Sequence, residues 1–194
     1  VLANASGTQG MNNVVVGQSA GYDLTIGESN ILIGSEAGAN LTEGDSNIAI
    51  GHGALDAATD GEFHNVAIGH GAMGTENGNA TYCVAIGSGT LALQSASVIN
   101  TAIGGLAGAE LDGGTGNTLV GYNAGNQLDA SEGYNTFIGH DAGSNADGAE
   151  QNTFIGAYAG GLGVATGNSN VCIGYVAGYD LTDGPGNVLI GKSA

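Results

Sequence analysis

A nine-residue phrase, N-[VIT]-x-[IV]-G-x-x-A-G, returns every 17 or 18 residues along almost the whole chain. A period of that kind decides the fold class before any single residue does. The copies start at Asn13, Asn30, Asn47, Asn65, Cys83, Asn100, Asn117, Asn135, Asn152, Asn170 and Asn187, so eleven repeats make one domain over residues 1–194, with 1–12 as a partial entry coil. Numbering the repeat from its Asn, column five is Gly in every copy: Gly17, Gly34, Gly51, Gly69, Gly87, Gly104, Gly121, Gly139, Gly156, Gly174 and Gly191. Column four is only Ile or Val, column two is Val, Ile or Thr, and column eight is Ala except at Thr90.

β-branched residues ended by an obligatory glycine read as a short strand and a corner. The glycine implies a positive φ or a corner too crowded for a Cβ. The looser back half, often L-[TD]-x-G, brings the chain round to the next Asn. One repeat is therefore one coil, and the fold class is all-β: a β-solenoid (β-roll or β-helix) of eleven 17–18-residue coils. Stacked coils place each Asn over the next, so their amides form a ladder. At a strand spacing of roughly 4.8 Å the rod is about 50 Å long. Without a period, 39 glycines would point to disorder; beside a regular Ile/Val column they point to order.

Column three reads Val15, Leu32, Ala49, Ala67, Ala85, Ala102, Leu119, Phe137, Phe154, Cys172 and Leu189, with no polar member. Alternation puts columns two and four on one face and column three on the other. If columns two and four fill the lumen, column three faces outward, and a strand apolar on both faces is buried on both. The expectation is that Val15, Leu32, Leu119, Phe137, Phe154 and Leu189 form an interface with a sister chain.

The phrases "NVAIGHGA" and "CVAIGSGT" resemble repeats in the head domains of trimeric autotransporter adhesins. "NTFIGHDAG" and "NTFIGAYAG" resemble repeats of tail-fibre-like proteins of phages and bacteria. The resemblance implies a parallel homotrimeric fibre at the cell surface or on a virion, with the strand phrase near the threefold axis. The adhesin heads repeat at about 14–15 residues, a shorter period than here.

Charge bounds the partners. Eighteen acidic residues face one basic residue, Lys192. Nucleic acid is not expected as a partner, since counterion displacement needs cationic groups. An anionic membrane is disfavoured for the same reason, and no apolar run reaches the 18 residues of a membrane span. The opening "VLANASG" has neither the charged nor the full apolar region of an intact signal peptide. Counted back in phase, the chain begins almost where its repeat ends, which fits a window from a longer fibre or subunits stacked end to end. Cys83 and Cys172 lie five coils apart, roughly 24 Å, so they cannot form a disulfide within the chain.

Chemistry would show as a break in the pattern. His52, His70 and His140 share column six; the first two, in consecutive coils, are placed to stack about 5 Å apart, and two imidazoles fall short of the four ligands of a structural zinc site. Asp23, Glu43, Asp45, Asp60, Glu62, Asp112, Asp129, Glu132, Asp147 and Asp183 fall in the back half. Calcium, which takes six to eight oxygens, is the one cofactor this leaves open. "LDGGTGN" resembles a calcium-binding nonapeptide, although neither the period nor the aspartate spacing recurs. "GGLGVATG" lacks the lysine and helix of a phosphate loop. Repeats three to five carry Leu55, Met73 and Leu91 where the ninth column is usually Gly, and Tyr122, Tyr158 and Tyr175 occupy columns six and seven; these irregular spots are the candidates for a recognition patch, the tyrosines for stacking on sugars. Thr101, Thr118, Thr136 and Thr153 form a run in column two, which sits with the Ile column and is assigned to the core. The reading is a non-enzymatic, structural and adhesive extracellular fibre protein, partnered with itself and with a host or cell-surface receptor or glycan. The alternative is a small-ligand solenoid that binds calcium or ice.

Overall fold

The computed structural model describes residues 10–57, 61–75, 79–93, 98–128, 133–161 and 167–194. Asp60, Asp129, Glu132 and the first nine residues lie outside them. Eleven three-residue strands follow the repeats: β1 (Val14–Val16), β2 (Ile31–Ile33), β3 (Ile48–Ile50), β4 (Val66–Ile68), β5 (Val84–Ile86), β6 (Thr101–Ile103), β7 (Thr118–Val120), β8 (Thr136–Ile138), β9 (Thr153–Ile155), β10 (Val171–Ile173) and β11 (Val188–Ile190). They make one parallel sheet in chain order. Pairing is column on column, as in Ala49 opposite Leu32 on one side and Ala67 on the other. The chain is thus a β-solenoid.

Each strand stops at the column-five glycine, whose φ lies between 129° and 142° in all eleven copies. Its N–H donates to the column-four carbonyl of the preceding coil at 2.8 Å, as Gly34 does to Val16. A Cβ on Gly34 would run into the backbone of Gly51 directly above it. Both the torsion and the stacking therefore require glycine.

Columns one and three point inward. Asn30, Asn47, Asn65, Asn100, Asn135, Asn152 and Asn170 have no exposed surface. Their side chains perform two tasks. The Nδ2 group closes its own coil by donating to the back turn, Asn30 to the Gly44 carbonyl at 2.7 Å and Asn47 to that of Glu62 at 2.7 Å. The Oδ1 atom accepts the backbone N–H of the next repeat's first residue, from Asn30 onto Asn13 at 2.8 Å through Asn187 onto Asn170 at 2.8 Å. Cys83, the one non-Asn start, still donates its N–H to Asn65 Oδ1 at 3.0 Å.

This arrangement inverts the expected facing. Leu32, Leu119, Phe137 and Phe154 are fully buried in the lumen of a single chain, and Val15 and Leu189 pack against the same cluster at its two ends. They are core residues, not an outer interface. The physical reason is the alternation itself: column three shares its side with column one, and an asparagine amide finds the back-turn carbonyl and the next coil's N–H only from inside the coil.

In most coils the lumen is filled by exchange of volume between columns three and nine; repeat six, with Ala102 and Gly108 both small, buries Leu111 instead. Where column three is large, column nine is glycine, and a Cβ at Gly38 would press on Leu32 Cδ2 at 2.9 Å and one at Gly125 on Leu119 Cδ2 at 2.7 Å. In repeats three to five column three is Ala49, Ala67 and Ala85, and Leu55, Met73 and Leu91 supply the missing volume, each fully buried. These three are core filling, which corrects their assignment to a recognition patch. The glycine of those coils moves to column seven, at Gly53, Gly71 and Gly89, with φ of 60–62°.

Candidate interaction face

With columns one and three inside, columns two and four stand outside. The outer face of β1–β11 therefore carries two unbroken ladders, one of Val, Ile and Thr and one of Val and Ile. Ile33, Ile103 and Ile138 reach 36–39% exposure although their strands have neighbours on both sides. Three residues at about 3.3 Å and eleven strands at about 4.8 Å give a strip of roughly 10 by 50 Å. That approaches the largest apolar patch of a typical monomer, about 300–600 Å². Thr101, Thr118, Thr136 and Thr153 stack in register here, opposite one another across β6–β9, so they too are outward and not core.

The flanks add rings. On the side that leads into the strands, His64 stacks on Tyr82 at 5.0 Å, and Tyr82, Ile99 and Tyr134 are exposed. On the side past the glycine corner, His52 and His70 stack at 5.2 Å with an interplanar angle of 11°. Farther along, Tyr122 stacks on His140 at 5.3 Å, His140 meets Tyr158 at 5.4 Å, and Tyr158 meets Tyr175 edge-on at 6.2 Å.

The carboxylates serve mainly local bonds. Asp45 accepts the Glu28 N–H at 2.7 Å. Asp141 accepts Asn123 Nδ2 at 2.6 Å and sits 2.7 Å from His140 Nδ1. Glu36 lies 3.7 Å from His52 Nε2. Near this pair, the Asp56 carboxyl is held above its ordinary range, first by loss of solvent and then by Glu36, with His52 acting in the opposite direction. Among the described residues no three His, Cys, Asp or Glu side chains converge as a metal-binding set, and no helix is long and apolar enough to cross a membrane. Both cysteines are buried, and burial pushes Cys172 up to about 11. What the arrangement offers is surface: a flat ladder face and two rows of rings.

The outer face is not legible from β-branched type alone, which suits a core and an exposed ladder equally. The signal was available in column one, whose asparagine fixes which side is inside. The chain matches no family model, no curated protein and no solved structure.

Proposed function

We propose that this chain is a non-enzymatic, structural and adhesive extracellular fibre protein that assembles as a parallel homotrimer through the outer faces of β1–β11. The observation that carries the reading is the pair of outward, in-register ladders in columns two and four. Two such faces are self-complementary, since every coil presents β-branched side chains at the same height, and stacked sheets pack about 10 Å apart. The asparagine-pinned lumen supplies stiffness, and the preponderance of acid over base favours a soluble surface in a salty extracellular setting. A fibre of this kind owes its function to length and display, and the repeats leave little variation from which to assemble catalytic groups.

Light scattering tests the assembly. The expected mass is three times the 18.8 kDa of one chain. Ile68→Lys with Ile86→Lys, which places charge on the outer face and leaves the lumen intact, should give a folded species of one-third that mass. A wild-type chain that stays monomeric at all concentrations overturns the trimer.

A second reading has a specific observation in its favour. The outward threonines of β6–β9 form a regular, in-register array at the coil repeat, the type of spacing that suits ice. Thermal hysteresis in dilute solution supports that reading, and its absence leaves the fibre.

A further inference from the structure

A cleft of about 470 Å³ opens beside the last coils, lined by Tyr158, Tyr175, Val176 and Tyr179. Tyr158 and Tyr175 meet edge-on, so the cleft presents both a ring face and a ring edge. Tyr175 is half exposed, and Lys192 Nζ lies 6.0 Å from its ring centroid. The cleft is also the end of a longer row. Tyr122, His140, Tyr158, Tyr175 and Lys192 come from five successive repeats and touch in sequence. The row begins just past the corner glycines, in columns six and seven, outside the ladder columns two and four.

We propose that this tyrosine cleft binds a neutral saccharide, with the row from Tyr122 to Tyr175 as the track along which an oligosaccharide extends. The inference rests on the adhesive reading above and names its ligand class and place. Three arguments carry it. First, tyrosine offers a large rigid contact surface with a hydroxyl at its rim and loses little conformational freedom on binding; a pyranose offers the matching combination of an apolar C–H face and a ring of hydroxyls. Second, small-molecule sites are apolar and aromatic clefts with a few polar groups, and here the lining tyrosines Tyr158, Tyr175 and Tyr179 bring three phenol hydroxyls. Third, charge selects among ring-shaped ligands. Lys192 at the end of the row is one cation against 18 acidic residues, so the chain as a whole repels sialylated and sulfated sugars, nucleotides and single-stranded nucleic acid, whose bases would otherwise stack on the same rings.

The chain has no tryptophan, and three of its seven tyrosines line the cleft, so tyrosine emission follows the site without a tryptophan background. The full chain is titrated with lactose and cellotetraose, and with sialyllactose as the acidic counterpart. Saturable changes are expected with the neutral sugars, tighter for cellotetraose than for lactose, and at least tenfold weaker with sialyllactose. Tyr158→Ala and Tyr175→Ala should each weaken cellotetraose binding at least tenfold, and Tyr22→Ala, an exposed tyrosine remote from the cleft, should leave it unchanged. Circular dichroism confirms that each variant is folded, and saturation-transfer NMR on the wild type locates the contact without any substitution. No saturable binding of either neutral sugar, equal binding of sialyllactose, or full affinity in both cleft variants overturns the proposal. Attachment of the wild type to a cell layer separates the two levels: attachment that survives Tyr158→Ala with Tyr175→Ala sinks this site and leaves the adhesive reading standing, and no attachment by the wild type sinks that reading itself.

Discussion

At the residue scale the asparagine column does the work that a core does in a thicker protein. A solenoid lumen this narrow holds a handful of apolar side chains per coil, such as Leu32, Ala37 and Leu41, so the coil must also be closed by hydrogen bonds. Asn117 shows the dependence: its Oδ1 takes the buried Asn135 N–H at 3.0 Å. Asn117→Ala removes that acceptor within a fully enclosed site, and the expected loss is about 1–3 kcal/mol, read from chemical unfolding. An unchanged midpoint would show that backbone stacking alone closes the coil. Asp56 provides a pH-dependent counterpart. Its folded-state carboxyl is raised above the ordinary 3.8, so the folded protein holds that proton more tightly than the unfolded chain does. Its contribution to stability is present below the ordinary aspartate range and is lost as pH rises through the raised value. Asp56→Asn does not titrate, so its melting temperature relative to wild type should climb from acid toward neutral pH and then level. A difference that is flat with pH contradicts the assignment.

At the scale of the element, each coil is a strand, a glycine corner and a back turn, and its contents are tuned in pairs. Leu32 with Gly38 and Ala49 with Leu55 are two solutions to the same volume. Leu55→Gly opens a cavity and should cost about 2–5 kcal/mol. Ala49→Leu alone overfills the lumen at about 1–3 kcal/mol. Together they recreate the pairing of the preceding coil, and the double variant should be more stable than the sum of the two losses predicts, the mark of direct coupling. Strict additivity in denaturant melts would refute the exchange. Much of this scale was legible in the sequence. The period, the strand and the corner followed from the invariant glycine, and the stacking of His52 on His70 followed from their shared column in consecutive coils. The facing of the strand does not follow, because Val and Ile suit either side of a strand. Apolarity cannot orient a strand whose three residues are all apolar; the polar residue next to it can. Leu55, Met73 and Leu91 were misplaced for a related reason, since a departure from consensus was read as function when it compensates Ala49, Ala67 and Ala85. The tyrosine cleft was half visible: Tyr158 and Tyr175 share neighbouring columns, but Tyr179 joins them only through the path of the chain round the coil.

For the whole molecule, the decisive feature is that one side of the rod stays apolar after the chain has folded. A buried lumen and an exposed ladder face separate two apolar sides that the sequence merges, and the proposed assembly uses the outer one. In a parallel trimer the same residue of each chain lies at the same height, and that is open to direct measurement. β3 and β9 lie equally far from the central strand β6, one toward each end. Ile50→Cys and Ile155→Cys are made separately and oxidised in dilute solution, with native Cys83 and Cys172 buried. Parallel assembly through the ladder face predicts that each variant alone yields a disulfide-linked dimer on a denaturing, non-reducing gel. If neither variant links to itself, or a link forms only when the two are mixed, the parallel outer-face assembly is contradicted.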